Sequence, residues 1–407
     1  MAFSQLRSSY QIIKEWLSAT PRETSVMTVD GFDVCVATTQ GLKRNTNEDR
    51  ACFARVRASD PSDAPTYVGL LCDGLGGMQG GAECATIAIS VILSELSETI
   101  GPEKPRTAFL RAIHNANEQI YQRFHGNGGT TLSAVLLRRS ECVGMNIGDS
   151  RIYSVGSSGR LVQLSVDDNI AKEVGRVAAI SPTRIKQLEF GEQLTQYLGV
   201  GPELQPQIID PPLGPGETFI LASDGAWRSS NGAFSKIVTH APNPVEIAKR
   251  VLNVSNWCGG IDNTTAVIIP SMSLSLQNKS VSDIESNSPQ MDIWSPFGRL
   301  SVAGEKRLSV GGYRRQPRVE DIPPSAPEDY RYARTRRRKA ASEPSRQRQG
   351  KLRGNPARGT VEKDPKQLDI QIVVHDDGGT SKNPKSVRGG ETRRDGDYAV
   401  KKVKSSR

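Results

Sequence analysis

The chain has 407 residues, of which 36% are hydrophobic, and a formal net charge of +9 at pH 7. This length allows two or three domains, but nearly all the long apolar runs lie in residues 1–270, which excludes a second large hydrophobic core beyond them. No stretch approaches the roughly twenty apolar residues that cross a bilayer, and Lys14 and Glu15 stand where a signal peptide needs its apolar core. We therefore expect a cytoplasmic protein without a transmembrane segment.

The predicted elements begin after an N-terminal extension, residues 1–30. Runs of apolar and β-branched residues, most of them bounded by Gly or Asp, predict strands at 32–39, 67–73, 130–137, 142–148, 151–156, 218–223 and 264–269. Helical spacing of apolar residues predicts two long helices, 81–100 and 105–124, and a later pair, 234–240 and 243–255. Strand clusters followed by helix pairs, without regular βαβ alternation, favour an α+β fold in which helices cover antiparallel sheets.

The C-terminal part, residues 271–407, differs in composition from the rest. It holds 29 Lys and Arg and 17 Asp and Glu, a net charge of +12, whereas residues 1–270 carry a net charge of −3. Its few apolar residues cannot offset chain entropy by burial, so we predict a basic and mostly disordered tail. The run RTRRRK at 334–339 favours binding to an acidic protein, nucleic acid or an anionic membrane; a solvated tail without a partner is the alternative.

Four short acidic segments carry most of the functional information: RNTNEDR at 44–50, DGLGG at 73–77, ASDG at 222–225 and DN at 262–263. Asp73 and Asp224 directly follow apolar runs, and Asp262 stands just before one, so all three lie at predicted strand ends. Carboxylates collected from strand ends into one cleft repel each other unless cations neutralise them, and hard oxygen ligands select Mg²⁺ or Mn²⁺. The sequence therefore predicts a metal-dependent hydrolase.

These segments belong to a longer ordered series: RxxNED, DGxGG, GTT, GDSR, SDG and DN. In this order they resemble the metal-dependent protein serine/threonine phosphatases, the PPM or type 2C family, in its bacterial form. The resemblance runs from Gly41 to Ile269, and six motifs in order are far more specific than any one of them. It implies an αββα sandwich of two antiparallel sheets flanked by helices, with the phosphatase domain at residues 31–270 and the basic tail after it.

The resemblance also implies a centre of two Mg²⁺ or Mn²⁺ ions between the sheets. Asp73 would be the catalytic carboxylate that bridges both ions, and the backbone carbonyl of Gly74 would bind the first. The other ligands would be Asp224 and Asp262 on the second ion, with Glu48 and Asp49 reaching the pair directly or through water. Two adjacent cations lower the pKa of a bridging water and offset charge on the phosphoryl group, so no covalent phosphoenzyme is needed.

Arg44 would be the second catalytic residue in this resemblance, because a guanidinium can grip two phosphoryl oxygens at once. A surface cation is the alternative. Leu75 departs from family members that have a histidine at the third position of DGxGG, although many bacterial members also have an apolar residue there. Since leucine cannot donate a proton, protonation of the leaving group would fall to water.

Asp149 in GDSR has the place that the family associates with a third, weaker metal ion, but it could instead hold the turn and pair with Arg151. A second departure bears on this site, because Arg228 replaces an aspartate that can help to hold the third ion. A guanidinium has no lone pair for a cation and would repel one. We therefore expect two ions, with a third weak or absent; alternatively, Arg228 contacts the substrate phosphate.

The sequence thus predicts a protein serine/threonine phosphatase that hydrolyses phosphoserine and phosphothreonine with a metal-activated water. Its expected partners are phosphorylated proteins, either a Ser/Thr kinase or the target of one. One alternative is a scaffold with the phosphatase fold that binds phosphoproteins and has little activity, but the complete set of carboxylates argues against it. In another alternative, the main function of the protein is binding of its tail to nucleic acid or membrane, and the enzyme domain is carried along as a passenger.

Overall fold

The computed structural model describes residues 8–19, 24–29, 31–57, 63–99, 104–139, 141–156, 158–178, 191–214, 216–230, 232–271 and 290–302. The strands are β1 (Ser25–Val29), β2 (Val34–Thr39), β3 (Arg50–Val56), β4 (Thr66–Cys72), β5 (Leu132–Arg138), β6 (Glu141–Ile147), β7 (Arg151–Val155), β8 (Leu161–Gln163), β9 (Gln207–Ile209), β10 (Thr218–Ala222), β11 (Thr264–Pro270), β12 (Met291–Ser295) and β13 (Gly298–Val302). The helices are α1 (Ser9–Ser18), α2 (Gly81–Thr99), α3 (Pro105–Phe124), α4 (Ile170–Ala178), α5 (Asp224–Arg228), α6 (Phe234–Thr239) and α7 (Pro244–Trp257).

Two antiparallel sheets lie at the centre of the fold. Sheet A has the strand order β1-β2-β11-β10-β7-β8, and sheet B has the order β13-β12-β3-β4-β5-β6-β9. One apolar cluster joins residues of both sheets, a second joins sheet B to α1, α2 and α3, and a third joins sheet A to α5, α6 and α7. The αββα sandwich implied by the resemblance is therefore confirmed.

The continuous apolar runs of the sequence are strands with both faces buried. All seven residues of β4 are buried. Val68, Leu70 and Cys72 belong to the cluster beneath the helices, whereas Tyr67 and Leu71 belong to the cluster between the sheets. Because side chains alternate between the faces of a strand, a run that is apolar throughout needs cover on both sides. The carboxylate of the DGLGG motif is consequently the first charged group beyond a fully buried strand.

The folded part extends beyond the predicted boundaries at both ends. Within the predicted N-terminal extension, α1 buries Ile13 and Leu17 in the core, and β1 pairs with β2. Beyond residue 270, β12 pairs with β3 and β13 with β12, so the hairpin at 291–302 completes sheet B. This hairpin was not predicted from the sequence, because its two strands are short and a segment with few apolar residues separates them from the other strands. The rest of the predicted tail, 272–289 and 303–407 with its RTRRRK run, lies outside the described residues.

A buried charge cluster ties the hairpin to the sheet. The Asp292 carboxylate is buried and accepts hydrogen bonds from Arg55 Nη2 (2.5 Å), Arg299 Nη2 (2.7 Å) and Ser301 Oγ (2.7 Å). Although burial raises the pKa of Asp292, these hydrogen bonds lower it below its ordinary value overall. The carboxylate is thus charged and fully partnered, which a buried charge requires.

A chain that ends at residue 270 is expected to be less stable than one that ends at residue 302. Truncation removes the buried side chains of Met291, Ile293 and Trp294 and leaves Arg55 without its partner. Since each buried apolar side chain contributes about 1.5–3 kcal/mol, we expect Tm to fall by about 10 °C or more. Thermal unfolding of the 1–270 and 1–302 chains, with the full chain as reference, measures the difference. Equal Tm values for the two truncated chains would contradict a structural role for the hairpin.

All six cysteines lie in the described ranges and none forms a disulfide. Five are buried, whereas Cys258 is exposed. None of the described helices is both long enough and apolar enough to cross a membrane.

Candidate active site

The predicted site residues meet at a cleft with a volume of about 190 Å³. Seven of the eight line it: Arg44, Glu48, Asp73, Gly74, Asp149, Asp224 and Asp262. The eighth, Asp49, is buried close enough to Asp224 and Asp262 for their negative charges to raise its pKa. Strand ends from both sheets therefore bring together carboxylates that are far apart in sequence.

Asp73 is held at the end of β4 by the GTT segment. Its backbone N–H donates to Thr131 Oγ1 (3.0 Å), and its carbonyl accepts from Thr130 Oγ1 (2.8 Å) and from Thr131 N–H (2.8 Å). Burial, and then the negative charges of Asp49 and Asp224, raise the pKa of Asp73 well above its ordinary value. The two threonines thus fix the backbone that aims this carboxylate at the cleft.

Asp49 is the clearest sign that this group of carboxylates needs a cation. It is buried, and neither of its carboxylate oxygens has a hydrogen bond of normal geometry. Burial raises its pKa to about 7; the nearby hydroxyls of Thr265 and Ser223 oppose the rise, and the charge of Asp224 adds to it. Water or protein donors normally satisfy a buried carboxylate, so two unpartnered oxygens fit a site for a divalent metal ion.

Asn263 joins the two loops that carry Glu48 and Asp262. Its Oδ1 accepts from Glu48 N–H (2.9 Å), and its Nδ2 donates to the carbonyls of Gln40 (2.8 Å) and Thr46 (3.0 Å). Its backbone N–H donates to Asp262 Oδ1 (2.8 Å). The side chain of Asn263 therefore anchors the loop of Glu48, and its backbone N–H holds the carboxylate of Asp262.

The close packing of these loops also requires glycine at position 225. A Cβ atom there would lie 1.9 Å from the carbonyl oxygen of Asn263. This approach brings the start of α5, with Asp224, against the loop of Asp262. The SDG motif thus needs its glycine for contact with another loop, which its own sequence does not reveal.

Arg44 lies on the cleft wall with its side chain partly exposed. Its Nη2 forms an ion pair with Asp262 Oδ2 at 2.7 Å, and the hydrogen bond to this carboxylate is the main reason that its pKa is raised. A Cβ atom added at Gly76 would lie 2.6 Å from Arg44 Nη1 and 3.0 Å from Glu48 Oε2, so the guanidinium stands directly over the DGLGG loop. Since a guanidinium has five N–H donors, this ion pair leaves some of them free to form hydrogen bonds to a substrate.

Arg228 is surrounded by carboxylates. Its guanidinium lies 2.9 Å from Asp149 Oδ2 and 3.6 Å from Asp224 Oδ2, and it also forms an ion pair with Glu192. The alternative in which Asp149 pairs with Arg151 is not what the structure has, because Asp149 pairs with Arg228 and Arg151 with Asp167. Burial and the charge of Asp224 nevertheless raise the pKa of Asp149 to about 7.

The neighbours of Trp227 hold this arginine in place. The guanidinium carbons of Arg151 and Arg228 lie 3.2 Å and 5.0 Å from the centroid of the Trp227 ring. The indole N–H donates to the carbonyl of Asp149 (3.3 Å), and Arg151 forms two hydrogen bonds to Asp167. The ring of Trp227 therefore packs the GDSR segment against the SDGAWR segment.

Hard oxygen ligands dominate the cleft, which suits Mg²⁺ or Mn²⁺ better than softer metals. In the described part of the chain, no group of three or more His, Cys, Asp or Glu side chains is already arranged to hold a metal ion. Arg44 and Arg228 instead pair with Asp262, Asp149 and Asp224. The unpartnered oxygens of Asp49 and the mutual repulsion of its neighbours are the observations that fit metal binding.

The comparison with protein families agrees with this geometry. A family profile described as protein phosphatase 2C matches residues 44–251, which include the cleft residues from Arg44 to Arg228. The chain belongs to this family. It is a metal-dependent protein serine/threonine phosphatase that uses Mn²⁺ or Mg²⁺.

Individual relatives align along nearly their whole length with this phosphatase. The serine/threonine phosphatase stp of Listeria welshimeri is 26% identical over 241 residues, which cover 57% of this chain and 93% of that protein. Protein phosphatase PhpP of Streptococcus pneumoniae is 23% identical over 247 residues, covering 58% of this chain and 97% of that one. The S. agalactiae serine/threonine phosphatase structure, 23% identical, covers 58% of this chain and 98% of its own with a TM-score of 0.51, which shows the shared fold.

In the described part of the phosphatase, no imidazole lies beside the DGLGG loop. Leu75 lines the cleft where some family members have histidine, and none of the three histidines in the described residues does so. The DGLGG loop therefore offers the leaving group no imidazole as a proton donor.

Two contributors to the site were missed by sequence analysis. Glu192 pairs with Arg228 from a segment that showed no recognisable pattern. Arg50 is buried beneath the acidic loop, where its Nη1 donates to the carbonyls of Asn47 (2.9 Å) and Asp49 (2.8 Å) and its Nε to that of Leu17 in α1 (3.0 Å). The location of Arg50 directly after the NED motif was the only signal available.

Proposed function

We propose that the phosphatase hydrolyses phosphoserine and phosphothreonine monoesters of proteins at a two-metal centre in this cleft. The observation that supports it is the cluster of Asp49, Asp73, Asp224 and Asp262 beside Arg44, in which both Asp49 oxygens lack a partner. When bound, two Mg²⁺ or Mn²⁺ ions supply the Lewis acidity that activates a water and offsets phosphoryl charge.

The side chains of the cleft would bind the metal ions and orient the substrate. Asp73 and the Gly74 carbonyl, with Asp49, Asp224 and Asp262, would hold the ions, and Glu48 would reach them directly or through water. Arg44 would orient the phosphoryl group with the donors that its ion pair leaves free. Because Leu75 has no proton to give, the leaving alkoxide would take its proton from water, without the gain of about 10²–10⁴ from a positioned acid.

The test is phosphate release from a phosphothreonine peptide with Mn²⁺, with Mg²⁺ and with excess EDTA. We expect turnover with either metal and none with EDTA. Binding of the peptide without turnover under any of the metal conditions would favour the scaffold role instead. The presence of every predicted carboxylate in or beneath the cleft disfavours that alternative.

The positive charge of Arg228 would take the place of a metal ion on the Asp149 side of the cleft. Its guanidinium contacts Asp149, Asp224 and Glu192, which come from three separate segments. A unit positive charge at these distances neutralises carboxylates that could otherwise attract a further divalent ion. We therefore propose that the wild-type centre takes two ions and that Arg228 weakens or prevents binding of a third.

Arg228→Asp is expected to create a third Mn²⁺ site. The change removes a positive charge and adds a carboxylate beside Asp149 and Asp224, so both attraction and ligand number increase. Isothermal titration with Mn²⁺ should show two ions per chain in the wild type and a third, weaker one in the variant. From the size of the charge change we expect at least about a tenfold gain in affinity at the third site. Arg228→Lys, which keeps the charge, is the control; three ions in the wild type would contradict the proposal.

The physiological setting is also a proposal. A Ser/Thr kinase or its target is the expected substrate, and the cytoplasm is the expected location. The net charges of +12 for residues 271–407 and −3 for residues 1–270 support binding of the tail to acidic protein, nucleic acid or anionic membrane. Such binding should weaken steeply with salt and disappear when residues 303–407 are deleted. Salt-independent binding would contradict it.

A further inference from the structure

Three large hydrophobic side chains are exposed beside the cleft. Leu42 and Ile261 are each 67% exposed and Trp257 is 87% exposed, whereas the next large hydrophobic residue in the described part of the chain, Ile208, is 45% exposed. We call Leu42, Trp257 and Ile261 the apolar rim. Single exposed hydrophobic residues are common on protein surfaces, but three on neighbouring segments next to a catalytic cleft, in the loop after β2 and at the end of α7 with the loop that follows it, indicate a contact surface.

The loops that carry the rim are held together by backbone hydrogen bonds. The N–H groups of Leu42 and Lys43 both donate to the carbonyl of Gly260, at 2.7 Å and 3.1 Å. At the end of α7, Gly260 N–H donates to the carbonyl of Ser255 (2.9 Å). A Cβ atom at Gly260 would lie 2.7 Å from Leu42 Cγ, so the leucine side chain packs on this turn. The loop of Leu42 and the turn that precedes Ile261 are therefore fixed against each other, and Trp257 ends the helix from which this turn continues.

The rim is continuous with the site that would hold the phosphoryl group. Ile261 directly precedes Asp262, and Leu42 lies two residues before Arg44. The ion pair between Arg44 and Asp262, at 2.7 Å, joins the two loops at the cleft. Since an extended peptide advances about 3.3 Å per residue, side chains one to three positions from a phosphorylated residue in the cleft would reach this surface.

We propose that the apolar rim binds apolar side chains that flank the phosphorylated residue of the substrate protein. The rim would then select substrates through KM, because it touches the chain beside the reacting group and not the group itself. Burying a Leu or Trp surface against such a side chain removes apolar area from water on both partners. This inference rests on the proposed function of the cleft.

The test uses two phosphothreonine peptides that differ only at the two positions on each side of the phosphothreonine, leucine in one and serine in the other. The wild type is expected to favour the leucine peptide by about 5- to 20-fold in kcat/KM, chiefly through KM. In L42S/W257S/I261S the ratio should fall to near one. Hydrolysis of p-nitrophenyl phosphate, which is too small to reach the rim, should be unchanged.

V162S/L213S is the matched control, because both residues are exposed hydrophobic residues on other segments, β8 and the loop after β9. It should keep the wild-type preference. Equal rates for the two peptides in the wild type, or a preference that survives in L42S/W257S/I261S, would overturn the proposal. A loss of self-association with unchanged peptide preference would assign the rim to a second copy of the chain and would also overturn it. If the wild type does not hydrolyse p-nitrophenyl phosphate with Mn²⁺ or Mg²⁺, the proposed function fails, and the inference fails with it.

Discussion

Asp73→Asn is expected to lower kcat for metal-dependent phosphate release by about 10³-fold or more, because we propose that Asp73 would hold the metal ions and losing such a ligand would remove several kcal/mol of transition-state stabilisation. Asparagine keeps the shape of the side chain but offers a neutral oxygen in place of a shared carboxylate. The same loss is expected for Asp224→Asn. Phosphate release from a phosphothreonine peptide across a range of Mn²⁺ concentrations measures both variants.

The stability of Asp73→Asn separates loss of metal from loss of fold. Burial and neighbouring carboxylates raise the pKa of Asp73 well above 3.8, so the metal-free folded state favours the neutral form and loses stability as the pH rises through that folded-state pKa. In EDTA at pH 7.5 the variant should therefore melt at or above the wild-type Tm. Mn²⁺ should raise Tm in the wild type and much less in the variant.

Asp210→Asn is the matched control for this experiment, because Asp210 is an exposed carboxylate away from the cleft. It should keep wild-type activity and metal dependence. Metal-dependent turnover of Asp73→Asn within tenfold of the wild type would show that Asp73 is not a bridging ligand.

Arg44→Ala is expected to lower kcat/KM for a phosphothreonine peptide by about 10- to 100-fold, since a charge-assisted hydrogen bond contributes about 1.5–3 kcal/mol. Arg44→Lys keeps the charge without the two-pronged donor geometry, so it should recover part of the loss. Steady-state kinetics on the peptide measure both variants. Arg160→Ala, which removes an exposed arginine outside the cleft, should behave as the wild type.

The ion pair of Arg44 sharpens this prediction. Because Arg44 also neutralises Asp262, its removal should increase the affinity of the centre for Mn²⁺ while weakening the substrate interaction. A fall in kcat/KM that persists at saturating Mn²⁺ would therefore support binding of the phosphoryl group by Arg44. An unchanged kcat/KM in Arg44→Ala would leave Arg44 as a surface cation that only pairs with Asp262.

Much of the site could be predicted because its residues sit in local patterns. Asp73 and Asp224 follow buried strands and Asp262 precedes one, and the structure has these strands as β4, β10 and β11. An apolar run shows where a strand ends, and the next charged residue must then emerge at the edge of the sheet. The order of six motifs extended these local observations to a family and its fold.

Contacts between distant segments could not be predicted in the same way. Arg228 was recognised as a departure, but its ion pair with Glu192 depends on where a variable segment lies. Arg50 reaches the carbonyl of Leu17 across 33 residues of sequence, and Arg44 pairs with Asp262 across 218. Such pairs depend on which surfaces meet when the core packs, and many combinations of charged residues satisfy the same local pattern.

The sequence by itself determined the chemistry of this phosphatase: its acidic strand ends, its expected two-metal centre and the leucine in place of a histidine. Its periodicities also determined most strands and helices, since those signals are local. Only the tertiary structure decided that residues 9–18 and 291–302 belong to the fold, that Arg228 faces three carboxylates, and that Leu42, Trp257 and Ile261 stay exposed. The physical reason is that burial and ion pairing depend on neighbours in space, which the chain acquires only when its two sheets pack together.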